Sequence, residues 1–269
     1  MWEKEISTVV EKLSSAQYAV ATTGAGVSAE SGIATFRDEG GIWDTLDIEE
    51  MGTPESFIQT VEREADRLIP YFRELLQSFL VAEANGGHHA LAALEQMGLL
   101  KSLITQNGDN LHYEAGNRNI LELHGNFFRM RCISCGAFKE EERKELLTGT
   151  IKKIDSLYDY DMQSLLSLVP RCPSCLSIMR PDVVMFSEAV QHMEEAFTEA
   201  RNADLLLVLG TSGMVYPASY LPVEAKKGGA FVVVINPQEN SFTEQCDLYL
   251  PLKTGEALPR IVESLKARH

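Results

Sequence analysis

The stretch Tyr18-Ala-Val-Ala-Thr-Thr-Gly-Ala-Gly-Val-Ser-Ala-Glu-Ser-Gly32 decides the fold class. An apolar run, a glycine turn and a helix start follow one another, and residues 24–29 match the Gly-x-Gly-x-x-Ala pattern of dinucleotide-binding folds. The glycines permit close backbone approach, and a helix N-terminus favours phosphate. The usual acidic residue, about 20 positions on after a second strand, is missing, because Asp44 and Asp47 lie in a loop-like stretch. We therefore expect any dinucleotide to be held in a non-standard way.

Apolar runs elsewhere extend this pattern. Residues 204–209 and 230–235 are continuous and rich in aliphatic residues, as buried parallel strands are. Helical patterns cover residues 3–16, 54–84 and about 88–98. We predict the α/β class, with a Rossmann-like, doubly wound parallel sheet and a smaller zinc-binding and helical module. The expected bounds are 1–44, 85–125 and 181–269 for the nucleotide-binding domain, 45–84 for the helical part and 126–180 for the zinc-binding part of the small domain.

Two polar clusters follow strand-like runs. Thr105-Gln-Asn-Gly-Asp-Asn-Leu-His112 comes after Leu103-Ile104, and His124-Gly125 comes after Ile120–Leu123. Ligands bind beyond the carboxyl ends of parallel strands, so an amide, a carboxylate and an imidazole would reach one crevice. Those groups can hold a sugar or amide and move a proton. Ordinary turn chemistry also accounts for the Asn-Gly-Asp-Asn segment, and the residues alone leave both interpretations open.

Four of the five cysteines form two Cys-x-x-Cys pairs, Cys132 with Cys135 and Cys172 with Cys175. Two such knuckles complete a closed four-sulfur zinc site, and a closed site is structural rather than catalytic. The 36 residues between the pairs exceed the usual gap of about 15–20 residues, which indicates an insertion. For Cys246 we prefer a buried thiol in a late strand.

The composition and net charge of the chain indicate which classes of partner it can bind. The 269 residues are 45% hydrophobic, and 39 acidic against 24 basic residues give a net charge of −15. Such a field disfavours direct binding to nucleic acid and anionic membranes, and it weakly favours basic partners such as Lys-rich peptides. The chain has no apolar run of the roughly 18 residues that a membrane helix needs, and its acidic start is unlike a signal peptide. We expect a cytoplasmic protein, of unknown oligomeric state.

Taken together, these motifs resemble the sirtuin (Sir2) family of NAD-dependent protein deacylases. The resemblance extends over about residues 15–250, with the motifs in the family's order, and it implies the same fold that the residue pattern predicts. The matching segments are residues 24–37, 105–112, 124–125, 183–188, 210–212 and 235–237 together with the four cysteines.

The resemblance implies a reaction in which an acyl group passes from lysine to ADP-ribose and nicotinamide leaves. His124 matches the general base, and an imidazole with a pKa near 6.5 suits that task. Asn107 matches the residue that positions the ribose, and Asp109 the carboxylate that contacts nicotinamide. The implied cofactors are NAD and one structural Zn²⁺, and the implied partners are acyl-lysine proteins or peptides.

Further cofactor contacts follow from the resemblance. Phe36 and Arg37 match a mobile cofactor loop, where Phe36 would keep water from the ribose. The 24–26 turn would offer backbone amides to the pyrophosphate, and residues after the late strands would lie near the adenosine. The expected cofactor-binding residues are Gly24, Ala25, Gly26, Phe36, Arg37, Gln106, Asn107, Asp109, Gly210, Ser212, Asn236 and Cys246.

Substrate contacts are expected in residues 183–188. Val184 and Phe186 match positions that line an acyl-lysine tunnel, while Ser187 and Glu188 would edge a groove to which an extended peptide adds as a strand. Three other histidines, His88, His89 and His112, are interpreted as structural.

The chain departs from the family pattern at several positions. Gly108 replaces an aliphatic residue that packs against nicotinamide, so we expect weaker nicotinamide inhibition or a differently shaped pocket. Ala34 stands where proline is common, and Ser187 where glycine is common.

The Tyr-x-x-Arg motif for acidic acyl groups is also altered. Tyr71 and Arg73 are two apart and do not share a helix face, so we expect no preference for acidic acyl groups.

Two other functions remain open on the sequence. An NAD glycohydrolase or ADP-ribosyltransferase would need the same ribose-handling residues with less need for a peptide groove. A non-enzymatic NAD-responsive module would not need both His124 and Asn107.

Overall fold

A computed structural model of the chain describes residues 2–36, 41–160 and 162–268. The chain divides into two compact units, Met1–Ser31, Glu83–His124 and Val190–His269 in the first and Gly32–Ala82 and Gly125–Ala189 in the second. Residues 32–44 and 181–189 fall in the second unit, whereas the sequence pattern groups them with the nucleotide-binding domain. The domain bounds themselves stay a prediction.

The first unit contains a six-stranded sheet in which every neighbouring pair is parallel. Its spatial order is β3-β2-β1-β7-β8-β9, so the order reverses on either side of β1. The strands of the described residues, numbered along the chain, are β1 Ala19–Thr23, β2 Leu100–Thr105, β3 Ile120–Glu122, β4 Gly125–Cys132, β5 Phe138–Glu140, β6 Met179–Val183, β7 Leu205–Leu209, β8 Phe231–Ile235 and β9 Leu248–Leu250.

Helices cover both faces of this sheet. The α-helices in the described part of the chain are α1 Glu3–Ser15, α2 Gly26–Ala29, α3 Ile42–Thr45, α4 Ile48–Met51, α5 Pro54–Val81, α6 Gly86–Gln96, α7 Leu111–Ala115, α8 Arg143–Asp155, α9 Met162–Leu168, α10 Met193–Asn202, α11 Leu221–Lys227 and α12 Thr254–Lys266. A 3₁₀ turn, Ala218–Tyr220, precedes α11.

Two apolar layers enclose the sheet. One packs α1, α6 and α12 against residues such as Leu103 and Leu207, and the other packs α10 and α11 against residues such as Leu206 and Val232. Because both faces are covered, all five residues of β7 are buried, which is why this strand is a continuous aliphatic run. The predicted doubly wound α/β architecture is confirmed.

The second unit contains a three-stranded antiparallel sheet, β5-β4-β6, and the helices α5, α8 and α9. Helix α5 begins at Pro54 with a capping box between Thr53 and Ser56. Helix α8 lies in the charged insertion between the cysteine pairs and buries one side against α5. Its Arg143 is buried and donates to the backbone oxygens of Phe79 (2.6 Å) and Ala82 (3.0 Å), at the end of α5.

Among the described residues, no helix is both long and apolar enough to cross a membrane.

Candidate functional site

The turn after β1 packs tightly against the turn after β7. A Cβ added to Gly24 would lie 2.8 Å from Thr211 Cβ, and one added to Gly26 would lie 2.8 Å from the oxygen of Gly210. Gly210 itself has a positive φ of 55°. The glycines of the fingerprint are therefore required by the approach of these two turns, at the edge where parallel sheets bind ligands.

Two of the three amides assigned to the pyrophosphate are already engaged. The N–H of Gly24 donates to Leu209 O (3.1 Å) and that of Gly26 to Gly210 O (2.8 Å). The amide of half-buried Ala25 has no partner within the part of the chain that the structure describes. It is the donor that this turn leaves available to a phosphate.

Asn107 and Asp109 lie in the loop that follows β2, and one serine links them. Asn107 Nδ2 donates to Gly24 O (3.0 Å) and to Ser28 Oγ (3.2 Å), and Ser28 Oγ donates to Asp109 Oδ2 (2.6 Å). The other Asp109 oxygen accepts the amide of Leu111 (2.9 Å). Asn107 Oδ1 makes no hydrogen bond within the described residues, so it is free to accept one from a hydroxyl.

The carboxylate of Asp109 is also connected, through Ser28, to the imidazole of His88. His88 Nδ1 accepts the amide of Asn85 (3.2 Å), which places the ring proton on Nε2, 3.4 Å from Ser28 Oγ. Burial, followed by the neighbouring His89, lowers the pKa of His88 to about 4. A neutral imidazole, a serine and a buried carboxylate thus form one chain of hydrogen bonds.

His124 lies just beyond β3, next to the loop that follows β2. Burial lowers the pKa of this half-buried imidazole, while a hydrogen bond to the backbone of Gln106 acts in the opposite direction. The net direction keeps His124 neutral near pH 7. With one ring nitrogen bound to a carbonyl, the other carries a lone pair, as a general base requires.

Three candidate cofactor residues, Gln106, Ser212 and Asn236, lie in the turns that follow β2, β7 and β8. Gln106 Nε2 donates to Thr211 Oγ1 (3.3 Å), Ser212 is exposed, and Asn236 Nδ2 donates to Gln238 O (2.6 Å). Asn240, which the sequence analysis missed, donates to Thr211 O (2.8 Å) and braces the turn after β7.

Cys246 does not lie in a strand. It occupies a bend that precedes β9, is half-buried, and its thiol donates to Thr243 O (3.2 Å). The predicted position of Cys246 within a late strand is wrong, because β9 begins two residues later, at Leu248. Between them, the Asp247 carboxylate accepts the amide of Val232 (2.8 Å) and turns the chain. A contribution of Cys246 to cofactor binding stays a prediction.

In the second unit, Phe36 is 39% exposed, whereas Arg37 lies outside the described residues. Arg73 forms a two-point pair with Asp155, at 2.5 and 3.1 Å. This pairing satisfies the guanidinium within the chain, and the predicted lack of preference for acidic acyl groups stays a prediction.

The candidate substrate residues follow β6. Val184 is half-buried, and Phe186 is 43% exposed with its amide donating to Gly52 O (2.8 Å). A Cβ at Gly52 would lie 2.8 Å from the Phe186 ring, so Gly52 positions that ring. Sequence reasoning missed Gly52, which carries no recognisable motif.

Ser187 and Glu188 turn the chain after Phe186. Ser187 adopts a left-handed φ of 73°, the conformation that favours the glycine it replaces. Glu188 accepts the Met185 amide (2.9 Å) and pairs with Arg180. Burial raises the pKa of Glu188, but the bonds from Arg180 and Met185 outweigh it and lower the pKa overall. The carboxylate is therefore occupied in holding this turn.

The four knuckle cysteines converge in the second unit. All four Sγ atoms lie within 4.8 Å of one another, with 3.5 Å between Cys132 and Cys175 and 3.6 Å between Cys135 and Cys172. A tetrahedral zinc–thiolate site has sulfur–sulfur distances of about 3.8 Å, given Zn–S bonds near 2.3 Å. The cluster fits one structural zinc ion, as predicted.

The structure thus links Asn107, Asp109 and the 24–26 turn by hydrogen bonds, and it brings the four cysteines together. Sequence reasoning missed Ser28 and the hydroxyls of Thr23 and Thr105, and it assigned His88 and His112 only a general structural role. Thr23 and Thr105 are the last residues of β1 and β2 and are neighbours in the β1–β2 pairing.

Three comparisons with known proteins agree. The model of the Sir2 family matches residues 24–217. The NAD-dependent protein deacylase of Desulfosudis oleivorans is 48% identical over 264 residues, which cover 98% of this chain and 97% of that protein. A Sir2 homologue mutant in complex with ADP-ribose has a TM-score of 0.81 at 34% identity, covering 97% of this chain and 96% of that one. Sir2 with a p53 peptide and NAD⁺ has a TM-score of 0.77 at 29% identity, covering 99% of both chains.

Proposed function

The chain belongs to the Sir2 family, and from this premise we propose that it is an NAD-dependent protein-lysine deacylase that acts on acetyl-lysine. The acyl group passes to ADP-ribose, and nicotinamide is released. The observation that carries the proposal is the hydrogen-bonded set of Asn107, Ser28 and Asp109 beyond β2, beside a neutral His124 beyond the adjacent strand β3.

The residues present fit NAD. The unpartnered Asn107 Oδ1 suits a ribose hydroxyl, and the free amide of Ala25 suits a phosphate oxygen. Gln106, Gly210, Ser212 and Asn236 would hold the remainder of the dinucleotide. When bound, NAD supplies the ribose carbon that receives the acyl oxygen and the nicotinamide that leaves.

Each of three side chains has one task in this proposal. His124 accepts a proton from a ribose hydroxyl at its free ring nitrogen, which prepares that oxygen for acyl transfer. Asn107 orients the ribose through Oδ1, and its own Nδ2 is fixed by Gly24 and Ser28. Asp109 presents a carboxylate, oriented by Ser28, to the amide of nicotinamide.

In the second unit, Val184 and Phe186 would contact the acyl-lysine side chain, and residues 186–188 the peptide backbone. Glu188 contributes by fixing the turn, because its carboxylate is bound to Arg180 and the Met185 amide. Phe36 and Arg37 would shield the ribose from water. The four cysteines would hold a structural zinc that supports the β4–β6 pairing. We expect the protein to act in the cytoplasm, without direct binding to nucleic acid.

One experiment tests the reaction. Nicotinamide release from NAD is measured with and without an acetyl-lysine peptide, and the peptide product is followed by mass spectrometry. We expect release that depends on peptide and yields deacetylated product. Release without peptide would identify a glycohydrolase, and no release at all would identify a binding module.

The role of His124 is tested in the same assay. His124→Ala should lower deacylation by at least about a hundredfold and retain measurable exchange of nicotinamide into NAD. His89→Ala, at an exposed histidine, is the matched control and should remain active. Unchanged deacylation in His124→Ala would remove this residue from the mechanism.

A further inference from the structure

We propose that His112 is a positioning residue for Asn107 and acts through two threonine hydroxyls. The inference rests on the proposed function, because Asn107 is the ribose-holding residue of that reaction. His112 lies on the short helix α7, within the first unit, and is 3% exposed.

The contacts form a continuous relay. His112 Nε2 lies 3.1 Å from Thr23 Oγ1, and Thr23 Oγ1 donates to Thr105 Oγ1 at 2.8 Å. The backbone amide of Asn107 donates to the same Thr105 oxygen at 3.0 Å. Thr23 and Thr105 are direct neighbours in the β1–β2 register, so the relay crosses the sheet at its ligand-binding edge.

The relay fixes which nitrogen of His112 carries the proton. The single hydroxyl proton of Thr23 is given to Thr105, so Thr23 accepts from His112, and Nε2 must be the protonated nitrogen. Nδ1 of His112 has no partner within the described residues. The opposite tautomer would bury an N–H without an acceptor, which is the costlier arrangement.

The neutral state of the ring is enforced by its surroundings. Burial, followed by the adjacent His88 ring at a centroid distance of 4.8 Å, holds the pKa of His112 well below its usual range. His112 therefore donates one hydrogen bond over the whole range of pH in which the enzyme would act. The two adjacent imidazoles serve different partners, since His88 leads to Asp109 through Ser28 and His112 leads to Asn107 through the threonines.

The relay predicts a pattern among variants that a merely structural role would not produce. His112→Gln can keep an N–H donor near the Nε2 position, whereas His112→Leu keeps the volume and loses the donor. Thr23→Val removes the hydroxyl that links His112 to Thr105, while the imidazole itself remains in the chain. We expect His112→Leu and Thr23→Val each to lower kcat of peptide-dependent nicotinamide release about tenfold, the effect of one lost hydrogen bond.

The remaining readouts decide the matter. KM for the peptide should stay unchanged, His112→Gln should remain within about twofold of wild type, and the double variant His112→Leu/Thr23→Val should be no slower than either single variant. His89→Leu is the control on an exposed histidine. A His112→Gln variant as slow as His112→Leu, a double variant whose losses multiply, or an unchanged kcat would each overturn the proposal.

NMR supplies a test that does not depend on activity. The ¹⁵N shifts of wild-type His112 should report the Nε2–H tautomer, and the Asn107 amide resonance should move in Thr23→Val and stay in place in His112→Gln. If His112→Leu does not fold, Thr23→Val and the tautomer decide the proposal. An inactive wild type with the expected shifts would refute the deacylase function and leave the relay supported, and an Nδ1–H tautomer would refute the relay.

Discussion

The loop after β2 and the turn after β6 are stabilised by different kinds of interaction. Both hold candidate site residues in a fixed backbone conformation. The first uses uncharged donors, with two neutral imidazoles and three hydroxyls behind Asn107 and Asp109. The second uses ion pairs, in which buried Asp182 binds Arg129 (2.8 Å) and Arg131 (3.3 Å), and Glu188 binds Arg180.

The difference follows from what each region is proposed to do. A general base and a ribose-holding amide need a pKa and an orientation that nearby full charges would disturb. A peptide groove needs a rigid edge and tolerates charge at its rim. The two regions should therefore respond differently to metal loss, acid and substitution.

Removal of zinc should give the largest difference. Cys172→Ser should lose the metal and open the β4–β6 region, because binding energies of structural zinc sites are on the order of 10 kcal/mol. Zinc content and hydrogen exchange would measure this, with lost protection in β4 and β6 and retained protection in β7 and β8. Cys246→Ser, outside the cluster, is the control and should keep one zinc per chain. A zinc-free Cys172→Ser with full protection of β4 would contradict the structural role.

Acid should affect the first unit at a higher pH than the second. The pKa of His88 is about 4 in the folded state and about 6.5 in the unfolded state, so the unfolded state binds more protons between these values. The free energy of unfolding should be highest above pH 6.5, and His88 alone should lower it by roughly 3 kcal/mol on the way to pH 4. His112, whose pKa is also held well below its usual range, should lower it further. The lowered pKa of Glu188 acts only below about pH 4.5, its unfolded value.

Hydrogen exchange at pH 7.0 and 5.0 measures this separation, since β1 and β2 should lose protection and β4 and β6 should not. His88→Gln should reduce the loss in the first unit, with the remaining loss due to His112 and His124, and the exposed His89→Gln should reduce it much less. Equal losses in both units would show that the neutral network is not the acid-sensitive part.

Gly108 lies in the loop after β2, between Asn107 and Asp109, and offers a further test of that loop. It is buried, and its φ is not in the positive range, so an isoleucine there is not opposed by the backbone. If Gly108 leaves a space beside nicotinamide, Gly108→Ile should strengthen nicotinamide inhibition by about thirtyfold, because burial of the added side chain contributes on the order of 2 kcal/mol. Inhibition constants for nicotinamide would measure the change. Gly149→Ile, at a helical glycine with open space around it, is the control. An unchanged constant in Gly108→Ile would mean that another side chain already fills the pocket.

Ser187 should give the smallest effect. Its left-handed backbone favours glycine, so Ser187→Gly should raise the free energy of unfolding by about 0.5–1 kcal/mol. Chemical denaturation would measure this. Ser167→Gly, on the exposed face of α9, should instead lower it by a similar amount. A loss of stability in Ser187→Gly would mean that the serine hydroxyl contributes more than the backbone strain costs.

The parts of the fold that the sequence predicted are those that depend on local pattern. The aliphatic runs of β7 and β8, the amphipathic α1 and the paired cysteine knuckles each carry their signal within a few residues. Buried parallel strands leave no polar alternation, so their runs are unambiguous. The strand-end position of Asn107, Asp109 and His124 follows from the same rule.

The missed parts depend on contacts between distant positions. Ser28 meets Asp109 across 81 residues, and Thr23 meets His112 across 89. Arg143 looks like one more charge in a charged segment until α8 is placed against the end of α5. The occupied amides of Gly24 and Gly26 have the same origin, since their acceptors lie in the turn after β7. No local pattern reports these pairings.

The order β3-β2-β1-β7-β8-β9 has a consequence for solubility. The two outer strands, β3 and β9, are only three residues long, whereas the four inner strands have five or six. An exposed edge invites a strand from another molecule to pair with it, and a short edge offers few backbone groups for that pairing. The apolar inner strands, which are the segments most prone to pair with strands of other molecules, therefore lie at neither edge of the sheet.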